Sequence, residues 1–118
     1  MPANKARGEV DLTLGGDTYT IRPSFDRIAN IEGQVGGILP FLERLQTNRW
    51  TVTELVTVVQ CMMRGQSDGP KPKEVPDLML QAEDGVISFV GPVAEFLTNC
   101  VTGGRKEPKD EGNGKVAA

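Results

Sequence analysis

The N-terminal part of the chain alternates between apolar and polar residues. Every second residue of "EVDLTL" is apolar, and "TYTIR" repeats the alternation after a Gly-Gly pair. Glycine supplies the positive φ that a two-residue hairpin turn requires. The pattern predicts a β-hairpin over residues 9–22. An isolated hairpin is marginal in water, so its apolar face must pack on the rest of the domain.

From Ser24 onward the apolar spacing changes to three or four residues, which is the period of an α-helix. Pro23 ends the second strand, and Ser24 is a suitable N-cap. Gly36 and Gly37 then interrupt the helical pattern. Residues 24–46 are therefore predicted to form two helices or one bent helix.

The clearest helix is predicted in "TVTELVTVVQCMMRG". Thr51 and Glu54 have the spacing of a capping box, and Gly65 ends the helix. The apolar residues of this helix are predicted to share one wide face: Val52, Leu55, Val56, Val59, Met62 and Met63.

Two shorter segments complete the helical pattern. Pro76 fits the first turn of a short helix that should end near Gly85. In "VISFVGPVAEFLTNCV" the helical spacing returns, and Pro92 should kink this last helix or separate its first turn.

These elements predict one α+β domain, predominantly helical, with an N-terminal β-hairpin followed by four or five short helices. Residues 1–8 are predicted to form a flexible arm and residues 9–102 a single globular domain, with the hairpin at 9–22 and helices at 24–102. Residues 103–118 are glycine-rich and polar, and they are predicted to be a disordered tail. At 118 residues the chain is long enough for one modest core.

The charge balance argues against two classes of partner. The chain has 13 basic and 16 acidic residues and a net charge of −3. This gives no general attraction to nucleic acid or to anionic membranes. The N-terminus has no apolar signal region, and no apolar run is long enough to span a bilayer. We therefore expect no nucleic acid and no membrane partner, and a cytoplasmic location.

The residue inventory also argues against the common catalytic chemistries. The chain has no histidine, which removes the usual general base and the commonest metal ligand. Cys61 and Cys100 lie in apolar helical patterns and are expected to be buried free thiols. The glycines of "GQVGG" lack the Lys-Ser/Thr of a phosphate loop. We expect no catalytic residue, no cofactor and no metal site.

The charged residues of the first helix, Asp26, Arg27 and Glu32, are predicted to lie on its solvated face. Six apolar residues are candidates for a partner-binding groove, although the core is the more common place for such residues: Phe25, Ile28, Ile31, Leu39, Leu42 and Leu45. The methionines Met62, Met63 and Met79 have the same two interpretations, a shared core or an adaptable groove for a partner helix.

The order of these segments resembles the small tail assembly chaperone family of gene transfer agents and related long-tailed phages. The matching segments are the hairpin "RGEVDLTLGGDTYTIR", then "IANIEGQVG" and "LPFLERL", a helix that ends in "RG", and the closing "VGPVAEFLTNCV". The family also carries a tail tube label. A tube wall should be mostly β, whereas only the hairpin of this chain is predicted to be β.

The resemblance implies a non-enzymatic role in tail morphogenesis in the host cytoplasm. Such a protein would bind the tape-measure protein, help recruit tail-tube subunits, self-associate or line up along its partner, and be absent from the finished particle. It implies no catalytic residue. One alternative is a structural subunit of the tail or the head–tail connector, which would be present in the particle. Another is a small enzyme or regulator unrelated to phage.

Overall fold

The computed structural model describes residues 7–103 of the chain. Two strands come first, β1 Val10–Leu14 and β2 Asp17–Ile21. Within the described range five α-helices follow: α1 Phe25–Val35, α2 Ile38–Gln46, α3 Val52–Met63, α4 Val75–Leu80 and α5 Val90–Thr102. Turns of 3₁₀ helix at Pro72–Glu74 and Val86–Phe89 precede α4 and α5. The predicted α+β class, with a hairpin and then helices, is confirmed.

The two strands form an antiparallel hairpin in which Val10 lies opposite Ile21. Gly15 and Gly16 make the turn with φ of 66° and 89°, which is the backbone region that glycine adopts most readily. One face of β1 is buried against α4 and α5. On the other face, the hydroxyls of Thr13 and Thr18 hydrogen-bond at 2.9 Å. The hairpin therefore packs its apolar face on the helices, as its marginal stability requires.

Helix α3 lies at the centre of the domain and packs against α1, α4 and α5. It is buried on more than the one predicted face, through Leu55, Val58, Val59, Cys61, Met62 and Met63. Val52 was predicted to share that face but is 50% exposed at the first position of α3. The methionines of the chain's centre, Met62, Met63 and Met79, all belong to this core rather than to an open groove.

The predicted helix starts and the predicted corner are present. The Ser24 hydroxyl accepts a hydrogen bond from the backbone N–H of Arg27 at 3.2 Å. Thr51 and Glu54 cap each other reciprocally at 3.1 Å. Between α1 and α2 the chain turns at Gly36, whose φ of 90° is a conformation that other residues rarely adopt. Residues 24–46 are thus two helices.

One helix end differs from the prediction. Helix α4 stops at Leu80 and does not continue to the vicinity of Gly85. Met79 is its last buried residue, and after Leu80 the chain makes two tight turns, with hydrogen bonds from the Ala82 N–H to the Met79 carbonyl and from the Gly85 N–H to the Ala82 carbonyl. The effect predicted for Pro92 is confirmed: a 3₁₀ turn precedes α5, which begins at Val90.

The predicted arm and tail lie mostly outside the described residues. Of the arm over residues 1–8, the structure describes Arg7 and Gly8. Gly8 is buried, and its carbonyl oxygen accepts a hydrogen bond from the Asn99 side chain at 3.1 Å. Of the tail over residues 103–118, it describes Gly103, which ends α5 in a left-handed conformation.

Candidate partner-binding surfaces

The six candidate residues fall into three groups by exposure. Ile31 and Leu45 are completely enclosed in the core. Ile28 and Leu42 are partly buried and pack against that core. Phe25 and Leu39 remain largely exposed, at 80% and 63%. The last two are therefore the candidates with apolar area still available to a partner.

Helix geometry explains this division. Phe25 is the first residue of α1, and Leu39 lies off the buried face of α2, which Ile38, Phe41 and Leu45 form at helical spacing. Sequence periodicity did not single out other exposed apolar residues: Leu80, Ile87 and Val101. An exposed apolar side chain is common singly, and a group of them is the informative observation.

Arg27 is not on the solvated face where it was predicted. Its guanidinium is partly buried and donates to three backbone carbonyl oxygens, those of Arg22, Met62 and Arg64, each at 3.0 Å. It also donates to the side-chain oxygen of Gln66 at 2.9 Å. The contact with Met62 satisfies a carbonyl in the last turn of α3 that has no partner within its own helix.

Glu32 has a structural role in addition to its predicted place on the solvated face of α1. Its carboxylate accepts a hydrogen bond from the backbone N–H of Ile38 at 2.9 Å. This bond satisfies an N–H group in the first turn of α2, where the Gly37 N-cap has no side chain. Asp26 remains exposed, as predicted.

A cleft of about 460 Å³ opens between the start of α1 and the end of α3. Its lining is mostly polar or charged: Ser24, Asp26, Arg27, Asn30, Cys61, Arg64 and Gly65. Arg64 reaches across it and donates from Nη1 to the Asn30 side-chain oxygen at 2.6 Å. Two guanidinium groups therefore lie in one cleft.

The two cysteines are free thiols, with Cys61 buried and Cys100 partly buried. Burial raises the pKa of the Cys100 thiol to about 12, against an opposing effect of the Arg27 charge. Burial also raises the pKa of the Cys61 thiol. Both thiols are therefore protonated at neutral pH, the form that is a poor nucleophile and a poor metal ligand.

A second cleft, of about 430 Å³, lies between the hairpin turn and the turn before α5. Asp11, Glu83 and Asp84 contribute carboxylates to its rim. Among residues 7–103, no three side chains of the ligating types come together as a metal site would require. The described helices are also too short or too polar to cross a membrane.

A family model for a phage tail protein matches residues 7–103, which is the whole described range. The chain therefore belongs to a family of phage tail-related proteins. More particularly, it belongs to the family described as phage tail tube protein, GTA-gp10. No curated protein and no solved structure matches the chain. The gene-transfer-agent and phage tail resemblance of the sequence is confirmed at the level of the family.

Proposed function

We propose that this chain is a tail assembly chaperone rather than a component of the tube wall. The observation that carries the proposal is the small share of β structure: the described range contains one two-stranded hairpin and five α-helices. A tube wall needs sheets that continue from one subunit to the next. A small helical domain fits a protein that binds and releases a partner.

The proposed partner is the tape-measure protein of the same tail. A long amphipathic helix aggregates when its apolar stripe is uncovered, and short helices with exposed apolar residues can cover it through many weak contacts. Phe25 and Leu39 are the candidate contact residues with available apolar area. Recruitment of tail-tube subunits follows when those subunits displace the chaperone. The proposal includes self-association along the partner, a place in the host cytoplasm and no enzymatic activity.

The first test measures where the protein is found. We would quantify it by mass spectrometry in producing cells and in purified particles from the same culture. A chaperone is abundant in cells and missing from particles. A fixed copy number in particles would refute the chaperone function.

The second test concerns the contact residues. Phe25→Ser with Leu39→Ser should reduce recovery of the tape-measure protein when the two proteins are coexpressed and the chain is affinity-purified. The matched control is Leu80→Ser with Ile87→Ser, which removes similar exposed apolar area from another part of the surface. Equal recovery with both double variants would show that Phe25 and Leu39 do not form the contact.

The second candidate function is a structural subunit of the tail or of the head–tail connector. The description of the family as a phage tail tube protein favours it. In that case the same mass spectrometry finds the chain in finished particles, and the virion is its final location.

A further inference from the structure

The cleft between α1 and α3 contains two positive charges without a compensating ion pair. Neither Arg27 nor Arg64 lies within 4 Å of a carboxylate in the described range, where the ion pairs are Arg7 with Glu9 and Arg44 with Glu54. Asp26 lines the same cleft but forms no such pair. The cleft is therefore locally positive on a chain whose net charge is −3.

The two arginines differ in how they are held. The Arg27 guanidinium is fixed by its hydrogen bonds to three carbonyl oxygens and to the Gln66 side chain. Arg64 is exposed and donates one hydrogen bond, to Asn30, so its Nε and Nη2 hydrogens remain available to a ligand. An arginine with free neighbouring N–H groups can bind a carboxylate through two parallel hydrogen bonds.

Partial burial strengthens the case for an anion. Removal from water lowers the pKa of Arg27, with the nearby Cys100 acting in the opposite direction. The physical meaning is that the Arg27 cation lacks part of the stabilisation that water would give it. A negative charge in the cleft would restore that stabilisation without breaking the hydrogen bonds that Arg27 already makes.

We propose that this cleft binds the carboxylate of an acidic side chain in a partner protein, with Arg64 as the direct ligand and Arg27 as a fixed positive charge beside it. With Asp26 counted, the cleft lining carries one unbalanced positive charge, which matches a single carboxylate. A nucleic-acid strand instead needs a series of basic residues along its backbone, whereas the lining of this cleft has two. The site is separate from the proposed tape-measure contact, because neither Phe25 nor Leu39 lines the cleft.

The test is an NMR titration of the arginine side-chain N–H signals in the full chain at about pH 6. The probe is a blocked peptide of consecutive glutamates, and the matched probe is the same peptide with glutamines. The glutamate peptide should shift the Arg64 and Arg27 signals in a saturable way, and added salt should weaken the effect. The glutamine peptide should leave these signals in place.

Variants then show whether the cleft is the site. Arg64→Gln should weaken the apparent affinity at least about fivefold, and Arg64→Lys, which keeps the charge but loses the paired donors, should weaken it less. The control is Arg49→Gln, which removes an exposed arginine outside the cleft and should leave the affinity unchanged. Circular dichroism spectra of the variants establish that each is folded.

Three results would overturn the proposal. One is a glutamate-peptide effect that does not saturate, or that shifts Arg49 as much as Arg64. Another is an affinity that Arg64→Gln leaves unchanged. The third is binding of inorganic phosphate at the cleft with no binding of the glutamate peptide, because the site would then select a small free anion. The particle mass spectrometry does not bear on these results, so the two proposals fail separately.

Discussion

Arg27 in α1 donates a hydrogen bond from Nε to the backbone carbonyl oxygen of Met62 in α3, 3.0 Å away and 35 positions later in the chain. The same guanidinium binds the carbonyl of Arg22, which directly follows the hairpin. One side chain therefore connects the end of the hairpin, the start of α1 and the end of α3. The opening stretch of the helical region is a structural joint, and Arg27 is its central residue.

Because Arg27 makes the hydrogen bonds of this joint, we expect its substitution to reduce the stability of the domain. Arg27→Met retains the apolar stem but none of the four hydrogen bonds, and we expect it to lower the free energy of unfolding by about 2 kcal/mol. Water can replace the guanidinium at the surface carbonyls, which keeps the loss from being larger. Urea denaturation followed by circular dichroism gives the value.

Two further variants serve as an intermediate case and as a control for that measurement. Arg27→Lys should fall between Arg27→Met and the unmodified protein, because one ammonium group cannot reach all four acceptors. Arg49→Met, at an exposed position, should change stability by less than about 0.5 kcal/mol. An Arg27→Met protein as stable as the unmodified chain would show that the joint contributes nothing to stability.

The pH dependence of stability should include a contribution from Glu54. The hydrogen bond from Arg44, at 2.8 Å, is the first cause that holds the pKa of this carboxyl below its ordinary value of 4.5, and the bonds with Thr51 act in the same direction. A group with a lowered folded-state pKa stabilises the fold above its unfolded pKa and loses that effect as the pH falls through the folded value. Thermal unfolding from about pH 7 down to about pH 3 measures it.

Glu54→Gln separates the charge from the helix cap. Glutamine can still accept from the Thr51 backbone N–H, so the cap remains while the ion pair is lost. The stability difference from the unmodified protein should be largest near neutral pH, at roughly 0.2–1 kcal/mol, and should shrink on acidification. Arg44→Gln should remove the larger part of the same pH dependence, because the bonds between Glu54 and Thr51 remain. A difference that stays constant over the whole range contradicts the prediction.

Truncation should destabilise the domain strongly at Leu55 and hardly at all at Leu39. Leu55 is completely buried in α3, so Leu55→Ala should cost about 2–5 kcal/mol, and Leu55→Asp should unfold the domain by placing a charge in the core. Leu39 is exposed in α2, and Leu39→Ala should stay within about 0.5 kcal/mol. Chemical denaturation of both alanine variants tests the assignment of core and surface, and a large loss for Leu39→Ala would place it in the core.

Alanine substitutions at Gly33 in α1 and at Gly36 in the turn after it should change the stability of the domain in opposite directions. Gly33 lies within α1, and a methyl group added there meets no neighbour within 4 Å, so Gly33→Ala should stabilise the domain by about 0.5–1 kcal/mol. Gly36 has a φ of 90°, so Gly36→Ala should destabilise it. Melting temperatures that move in the same direction for both variants would contradict this.

Local signals predicted the fold well, because each needed only neighbours in the chain. Gly15 and Gly16 supply the hairpin turn, and Thr51 with Glu54 supplies a cap, within a few residues. The end of α4 was misplaced because the apolar spacing continues to Ala82, whereas the chain leaves the helix after Leu80 in two tight turns. Apolar spacing likewise marked the faces of α1 and α2 without showing which positions the core covers.

The candidate sites were less predictable for the same reason. Phe25 and Ile31 belong to one helical pattern, yet Phe25 is exposed at the first position of α1 and Ile31 is enclosed within the same helix. Arg27 looked like an ordinary surface charge because its partners Met62 and Gln66 are more than 30 positions away. No spacing rule within a single sequence connects such residues.

The hydrogen bond between Gly8 and Asn99 places the two ends of the described domain side by side. A methyl group added at Gly8 would lie 3.6 Å from the carbonyl oxygen of Gly103. A label or fusion introduced next to either residue therefore emerges from the same side of the domain. A circular permutant could join Gly103 to Gly8 through a short linker and open the chain between Gly15 and Gly16. Such a permutant would retain both strands and all five α-helices of the described range.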